Sequence, residues 1–192
     1  GEGRARVSLK SADIEPYLLV TGVSLPQFGS GMPVDLAADV ELSADAVKVS
    51  GLSGDVAGNA VAGSLSADRR APGLPVTGDM SVDTIDLAWM GEAVFGPMEN
   101  GVTGAPSKTP FATPLIGSTD VGINLSAKTL RADALGTITG FSGKVNGKAG
   151  GLTIDNASGT WQGGKLSGRL MMSNGDATGI VQAKLQVENA DL

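Results

Sequence analysis

Any chemistry in this chain has to come from carboxylates, hydroxyls, amides and amines, because its 192 residues include neither histidine nor cysteine. That removes Ser-His and Cys-His nucleophile pairs, imidazole and thiolate metal sites, and disulfides together. Two acids flanking a glycosidic bond are the remaining route to acid–base hydrolysis. The acids with a recurring setting are Asp13, Asp86 and Asp191, in Ala12-Asp13-Ile14, Ile85-Asp86-Leu87 and Ala190-Asp191-Leu192. Behind Asp86 the apolar residues Leu87, Met90 and Val94 recur at helical spacing, as do Ile14, Tyr17 and Leu18 behind Asp13. An Asp there accepts the orphan N–H groups of a first helical turn, so these three acids read as helix caps. Gly22 and Gly96 are expected to end the two helices. No acid pair stands out as catalytic, and the chain reads as a non-enzyme with no cofactor and no metal.

Two other spacings invite a chemical reading and lose it. Gly159-Thr-Trp-Gln-Gly-Gly164-Lys165 fits the front of a phosphate-binding loop, but Leu166 stands where a magnesium-holding Ser or Thr belongs. A strand, not a helix, is expected after it. Gly150-Gly-Leu-Thr-Ile-Asp155 is similar to one calcium-binding Gly-Asp repeat, and such sites need a stack. Trp89 and Trp161 read as packing anchors at element junctions.

The elements that position all this are strands. Gly supplies 29 of 192 residues, about twice its usual ~7% share, and aromatics only 4%. Val40-Glu-Leu42, Val47-Lys-Val49, Leu152-Thr-Ile154, Leu166-Ser-Gly168-Arg-Leu170 and Val181–Val187 alternate with period two. One apolar and one polar face is the pattern of an antiparallel sheet wetted on one side. Gly73, Asn146-Gly147, Asp155-Asn156 and Asn174-Gly175-Asp176 are expected as hairpin turns. A net charge of −6 with no basic run argues against nucleic acid. No apolar run approaches the ~18 residues of a transmembrane helix and no signal peptide opens the chain. The chain opens directly on strand-like sequence and closes on a repeat signature, so both ends are expected to be cuts from a longer protein.

The blocks 58–87 and 163–192 overlay without a gap at an offset of 105 (163 − 58). Gly58/Gly163, Gly63/Gly168, Leu65/Leu170, Val76/Val181, Val82/Val187, Asp86/Asp191 and Leu87/Leu192 are identical. Repetition on this scale marks a repeating β architecture. Leu42-Ser-Ala44 also matches Leu125-Ser-Ala127 at an offset of 83 (125 − 42), which predicts a hairpin-sized insertion within residues 136–162. The expected organisation is a first β-repeat module at 1–95 that starts mid-module, a Pro/Gly-rich linker at 96–119, and a second module at 120–192 truncated at its end. The fold class is mainly β: a curved antiparallel sheet of repeated modules, a groove or half-pipe, with short helices between modules.

The candidate site is the apolar face itself, formed by Val40, Leu42, Val47, Val49, Leu65, Met80, Val82, Leu125, Leu152, Ile154, Leu170, Leu185 and Val187. Two readings of these thirteen residues bury the same face, so periodicity does not separate them: a core closed by a second layer or by the short helices, which general physical grounds favour, and a groove open to acyl chains.

Leu125-Ser-Ala-Lys-Thr-Leu130, Leu152-Thr-Ile154, Gly163-Gly-Lys-Leu-Ser-Gly-Arg-Leu170 and Ala190-Asp-Leu192 follow one another in an order that resembles the C-terminal region of the AsmA family. Ala12-Asp13-Ile14, Thr21-Gly-Val-Ser-Leu-Pro26, Gly58-Asn-Ala-Val-Ala-Gly-Ser-Leu65 and Ile85-Asp-Leu87 are similar to the preceding unit, so the resemblance spans nearly the whole chain. It implies a Gram-negative envelope protein, related to TamB, anchored in the inner membrane and projecting into the periplasm. It further implies a role in outer-membrane biogenesis and phospholipid transport between membranes, with acyl chains as the partner. No catalytic residues come with it. The alternative from another class is a structural or adhesive β-solenoid segment of a bacterial surface protein.

Overall fold

The computed structural model describes residues 2–20, 29, 31–95, 119–148, 150–175 and 178–191. Ten strands form one open mixed sheet: β1 (Gly3–Ser11), β2 (Val34–Leu42), β3 (Ala46–Val56), β4 (Asn59–Asp68), β5 (Val76–Asp86), β6 (Val121–Arg131), β7 (Thr137–Lys148), β8 (Gly151–Trp161), β9 (Gly164–Gly175) and β10 (Thr178–Glu188). Helix α1 (Glu15–Val20) follows β1 and α2 (Leu87–Phe95) follows β5. Strand order in the sheet is sequence order. Eight of the nine pairings are antiparallel; β5 and β6 pair in parallel, from Val76↔Val121 to Asp86↔Arg131. That one parallel step corrects the wholly antiparallel expectation. After β5 the chain must return to the other end of the sheet before entering β6, which no short hairpin can do. The linker expected at 96–119, and the helix-ending Gly22 and Gly96, fall outside the described residues except for Thr119.

The 105-residue repeat is a repeat of hydrogen-bonding register. Val61↔Val82, Gly63↔Met80, Leu65↔Gly78 and Ala67↔Val76 join β4 to β5. Leu166↔Val187, Gly168↔Leu185, Leu170↔Ala183 and Met172↔Val181 join β9 to β10 at the same offset. The hairpins entering these pairs match too. Ala57 and Gly58 (φ 53° and 79°) correspond to Gln162 and Gly163 (φ 48° and 73°), both residues at positive φ as a type I′ turn requires. A bulge in β3 between Val49 and Leu52, with Gly51 at φ 59°, corresponds to one in β8 between Ile154 and Ala157, with Asn156 at φ 53°. Asp155-Asn156 therefore lies inside a strand, not at a hairpin turn, and so does Asn146-Gly147, in β7. Gly73 does sit in the β4–β5 turn, at φ 78°.

The equivalence extends to five strands. Ala5↔Val40 and Val7↔Ala38 correspond to Ile123↔Val145 and Leu125↔Gly143, so β1 is the counterpart of β6 at an offset of 118 (123 − 5). The match of Leu42-Ser-Ala44 to Leu125-Ser-Ala127 is thus a coincidence of composition, and the second unit holds no inserted hairpin. The extra length lies in the first unit, where residues 12–33 join β1 to β2 while 132–136 join β6 to β7.

Burial is uneven. The core gathers Met90, Val94 and Phe95 of α2 against Ala127, Leu130, Ile138, Phe141, Leu152, Ile154, Leu166 and Met172. Val94 is fully buried and Ile154 is 2% exposed. Helix α2 carries one charge, Glu92, so nearly all of its surface gains from being covered.

Candidate functional site

The pairings place all thirteen apolar candidates on one face of the sheet. One directly opposed row runs across all ten strands: Ala5, Val40, Val49, Leu65, Gly78, Ile123, Val145, Ile154, Leu170 and Ala183. A second runs through Gly3, Leu42, Val47, Ala67, Val76, Val121, Gly147, Leu152, Met172 and Val181. Met80 pairs with Leu125, and Val82, Leu185 and Val187 stand an even number of residues from row members on their own strands. No charged side chain interrupts either row. The row members missing from the candidate set, such as Ile123, Val145, Met172 and Val181, are two residues from members of it or of its rows, so alternation alone was enough to include them.

This face is covered over one half and more accessible over the other, where only Val34 and Ala38 of β2–β4 are buried. Helix α2 packs against β5 and β9, and the Asn174 Nδ2 amide donates to the Val94 carbonyl at 3.1 Å, tying the helix to β9. Under it Leu152 and Ile154 are buried, with Val82 and Leu170 packed against the cluster. Across β2–β4, Val40, Val47, Val49 and Leu65 are only half-buried. Met80 and Leu125 are half-buried as well. At the margins Val7, Leu9, Leu42, Val181, Leu185 and Val187 are exposed, Val181 at 61%.

The aspartates take the capping positions expected of them at the two helices. Asp13 Oδ1 accepts from the Glu15 N–H at 3.0 Å and from the Met32 N–H at 3.0 Å. Asp86 Oδ1 accepts from the Ala88 N–H at 2.8 Å. At the third copy, the Asp191 N–H donates to the Gln162 carbonyl at 2.9 Å, stapling the chain to the β8–β9 turn. Gly159–Lys165 forms that hairpin, so its amides do not converge on an anion. Trp161 packs against the core and its Nε1–H donates to the Leu135 carbonyl at 2.6 Å; Trp89 stays 37% exposed. Among the described residues no group of three acids is placed to hold a metal.

The opposite face is polar and self-satisfied. Arg4–Glu41 (2.5 Å), Lys10–Asp35 (2.6 Å), Lys128–Asp83 (2.7 Å) and Arg169–Asp155 (2.8 Å) pair across neighbouring strands. The hydrogen bond from Arg4 and then its charge hold the Glu41 carboxyl below its usual range, and the same bond raises Arg4. Asp35 raises Lys10 likewise. Ser81, Ser126, Ser142, Ser158 and Ser167 form one cross-strand row on this face. A shallow hollow of about 500 Å³ lies here, lined by Asp79, Ser81, Asn124, Ser126, Ser142 and Lys144 among others. Met80 and Leu125 of the apolar set also border it.

No family model matches the chain, no curated protein matches it, and no solved structure matches it.

Proposed function

We propose that this chain is a non-enzymatic module of an AsmA-like envelope protein whose open apolar sheet face receives the acyl chains of phospholipid. In this reading the module stands in the periplasm as part of a longer protein anchored in the inner membrane, and serves outer-membrane biogenesis by lipid transport. One observation supports it above the rest: apolar rows cross ten strands in register, and much of that surface stays accessible away from α2. A soluble domain rarely leaves such a contiguous apolar surface without a partner for it. Each methylene of an acyl chain moved onto that face gains about 0.8 kcal/mol, so binding needs no head-group chemistry.

Native mass spectrometry of the purified chain tests this. Co-isolated phospholipid is the expected result, with Val49→Glu or Leu65→Glu abolishing it while the circular dichroism of the sheet is kept. A lipid-free chain whose β2–β4 amides and apolar side chains are as protected as those beneath α2 would overturn the reading, because the face would then be a finished core.

A further inference from the structure

The two five-strand units are joined by one strand pairing, the parallel β5–β6 pair, and each unit carries the two halves of that pairing. Strand β10 is the counterpart of β5 at an offset of 105, and β1 is the counterpart of β6 at an offset of 118. Among the described residues β10 pairs only with β9 and β1 only with β2, leaving one edge of each unpaired. The edge that β5 gives to β6 is thus presented again by β10, and the edge that β6 gives to β5 is presented again by β1. An exposed edge of this kind is a template for strand addition.

We propose that β10 of one copy of this chain pairs in parallel with β1 of a second copy, in the register of β5 with β6. Carrying the two offsets over places Val181 opposite Gly3 and Glu188 opposite Lys10. The side chains suit the match at the end where the internal interface has its ion pair. Lys128–Asp83, 2.7 Å apart, becomes Lys10–Glu188, with Lys10 then shared between Glu188 and its own Asp35, and Leu125–Met80 becomes Val7–Leu185. On β1 and β10 all of these residues are exposed. One position is unfavourable: Asn124 donates to Asp79 at 2.9 Å in the internal interface, whereas Arg6 would face Lys184. The contact is heterologous, so copies add head to tail and extend both apolar rows. It uses backbone edges and charges only and stands whether or not the face binds lipid; within a longer protein the same edges would receive a neighbouring repeat unit in the same register.

Sedimentation of the full chain over a concentration series, with hydrogen exchange at each concentration, tests it. Association beyond a dimer is expected, with slowing of amides confined to β1 and β10. Glu188→Lys should weaken the association constant about two- to fivefold, the usual scale of one exposed ion pair, and Lys184→Glu should strengthen it by a similar factor. Both side chains are exposed, so neither change threatens the fold. A chain that stays monomeric to about millimolar concentration overturns the proposal. So does association that ignores both substitutions, or that slows amides elsewhere.

Discussion

Strands β2–β5 and β7–β10 share their register over most of their length, one tight turn and one bulge, yet only the second set is a finished core. An extra shift falls between Thr139 and Ser142 in β7. Val49 and Ile154 are equivalent positions (154 − 49 = 105), both on the apolar face and both directly opposite a leucine of the next strand. Ile154 is 2% exposed because Met90, Val94 and Phe95 of α2 gather over its half of the sheet. Val49 is half-buried. The backbone plan therefore does not decide whether a sheet face becomes core or surface; a short helix supplied from the crossover decides it. One strand pattern can serve stability in one half and leave a surface for a ligand in the other.

Truncating both members of the pair puts this contrast under the most strain. Ile154→Ala should cost about 2–5 kcal/mol in urea unfolding, as deletions beneath a closed layer do. Val49→Ala should cost about 1 kcal/mol or less, since it removes fewer groups from a half-wet site. Equal losses would mean that the first half is closed as well, and the groove reading would fall with the distinction. A smaller difference is expected at Gly63 and Gly168, which face the same obstacle. A Cβ at Gly63 would lie 2.3 Å from the Asp79 carbonyl oxygen, and one at Gly168 would lie 2.2 Å from that of Lys184. Gly63→Ala should destabilise by about 1–3 kcal/mol, the usual cost of overpacking. Gly168→Ala should cost less, because β10 is an edge strand that can shift away. Matching penalties would show that β10 is held as firmly as β5, as it would be if its outer edge were paired.

Much of this plan was legible from residue types. Alternation in Val47–Val49, Leu152–Ile154 and Val181–Val187 identified strands and their apolar face, since a period of two leaves no other assignment. Asp13 and Asp86 identified the two helix starts. The parallel β5–β6 step was not legible, because pairing direction depends on how the chain crosses back and not on any residue in the strands. Turn signals misled where Asn and Gly served other ends: Asn156 adopts positive φ for a bulge, and Gly147 lies in the middle of the second apolar row. The counterpart of β1 stayed hidden because β6 shares little with it beyond Ser8/Ser126 and Lys10/Lys128. Which half α2 covers was equally beyond reach, as its own sequence is apolar on nearly every side.

The polar faces of the two units differ in one further respect, with a slighter consequence. Glu41, paired with Arg4, corresponds to Asn146, which donates to Asp155 Oδ2 at 3.1 Å, so the first unit holds a titratable pair where the second holds an amide. The Arg4 hydrogen bond, and then its charge, keep the Glu41 carboxyl below its usual 4.5. A carboxyl depressed in the folded state adds stability above its unfolded value and loses it as pH falls through the folded one. For Lys10, raised above its usual 10.5 by the hydrogen bond and charge of Asp35, the sense is opposite: the contribution is present below 10.5 and lost as pH rises through the folded value. Both pairs are solvent-exposed and screened by salt, so neither should move the unfolding midpoint detectably. The titration itself is the readout. Carboxyl NMR should place the Glu41 midpoint below 4.5, and Arg4→Ala should return it toward that value. About 1 M salt should remove only the part that charge supplies. A midpoint indifferent to Arg4→Ala would mean that β1 is not held to β2 in the register that aligns Ala5 with Val40, and the equivalence of β1 to β6 would lose its anchor.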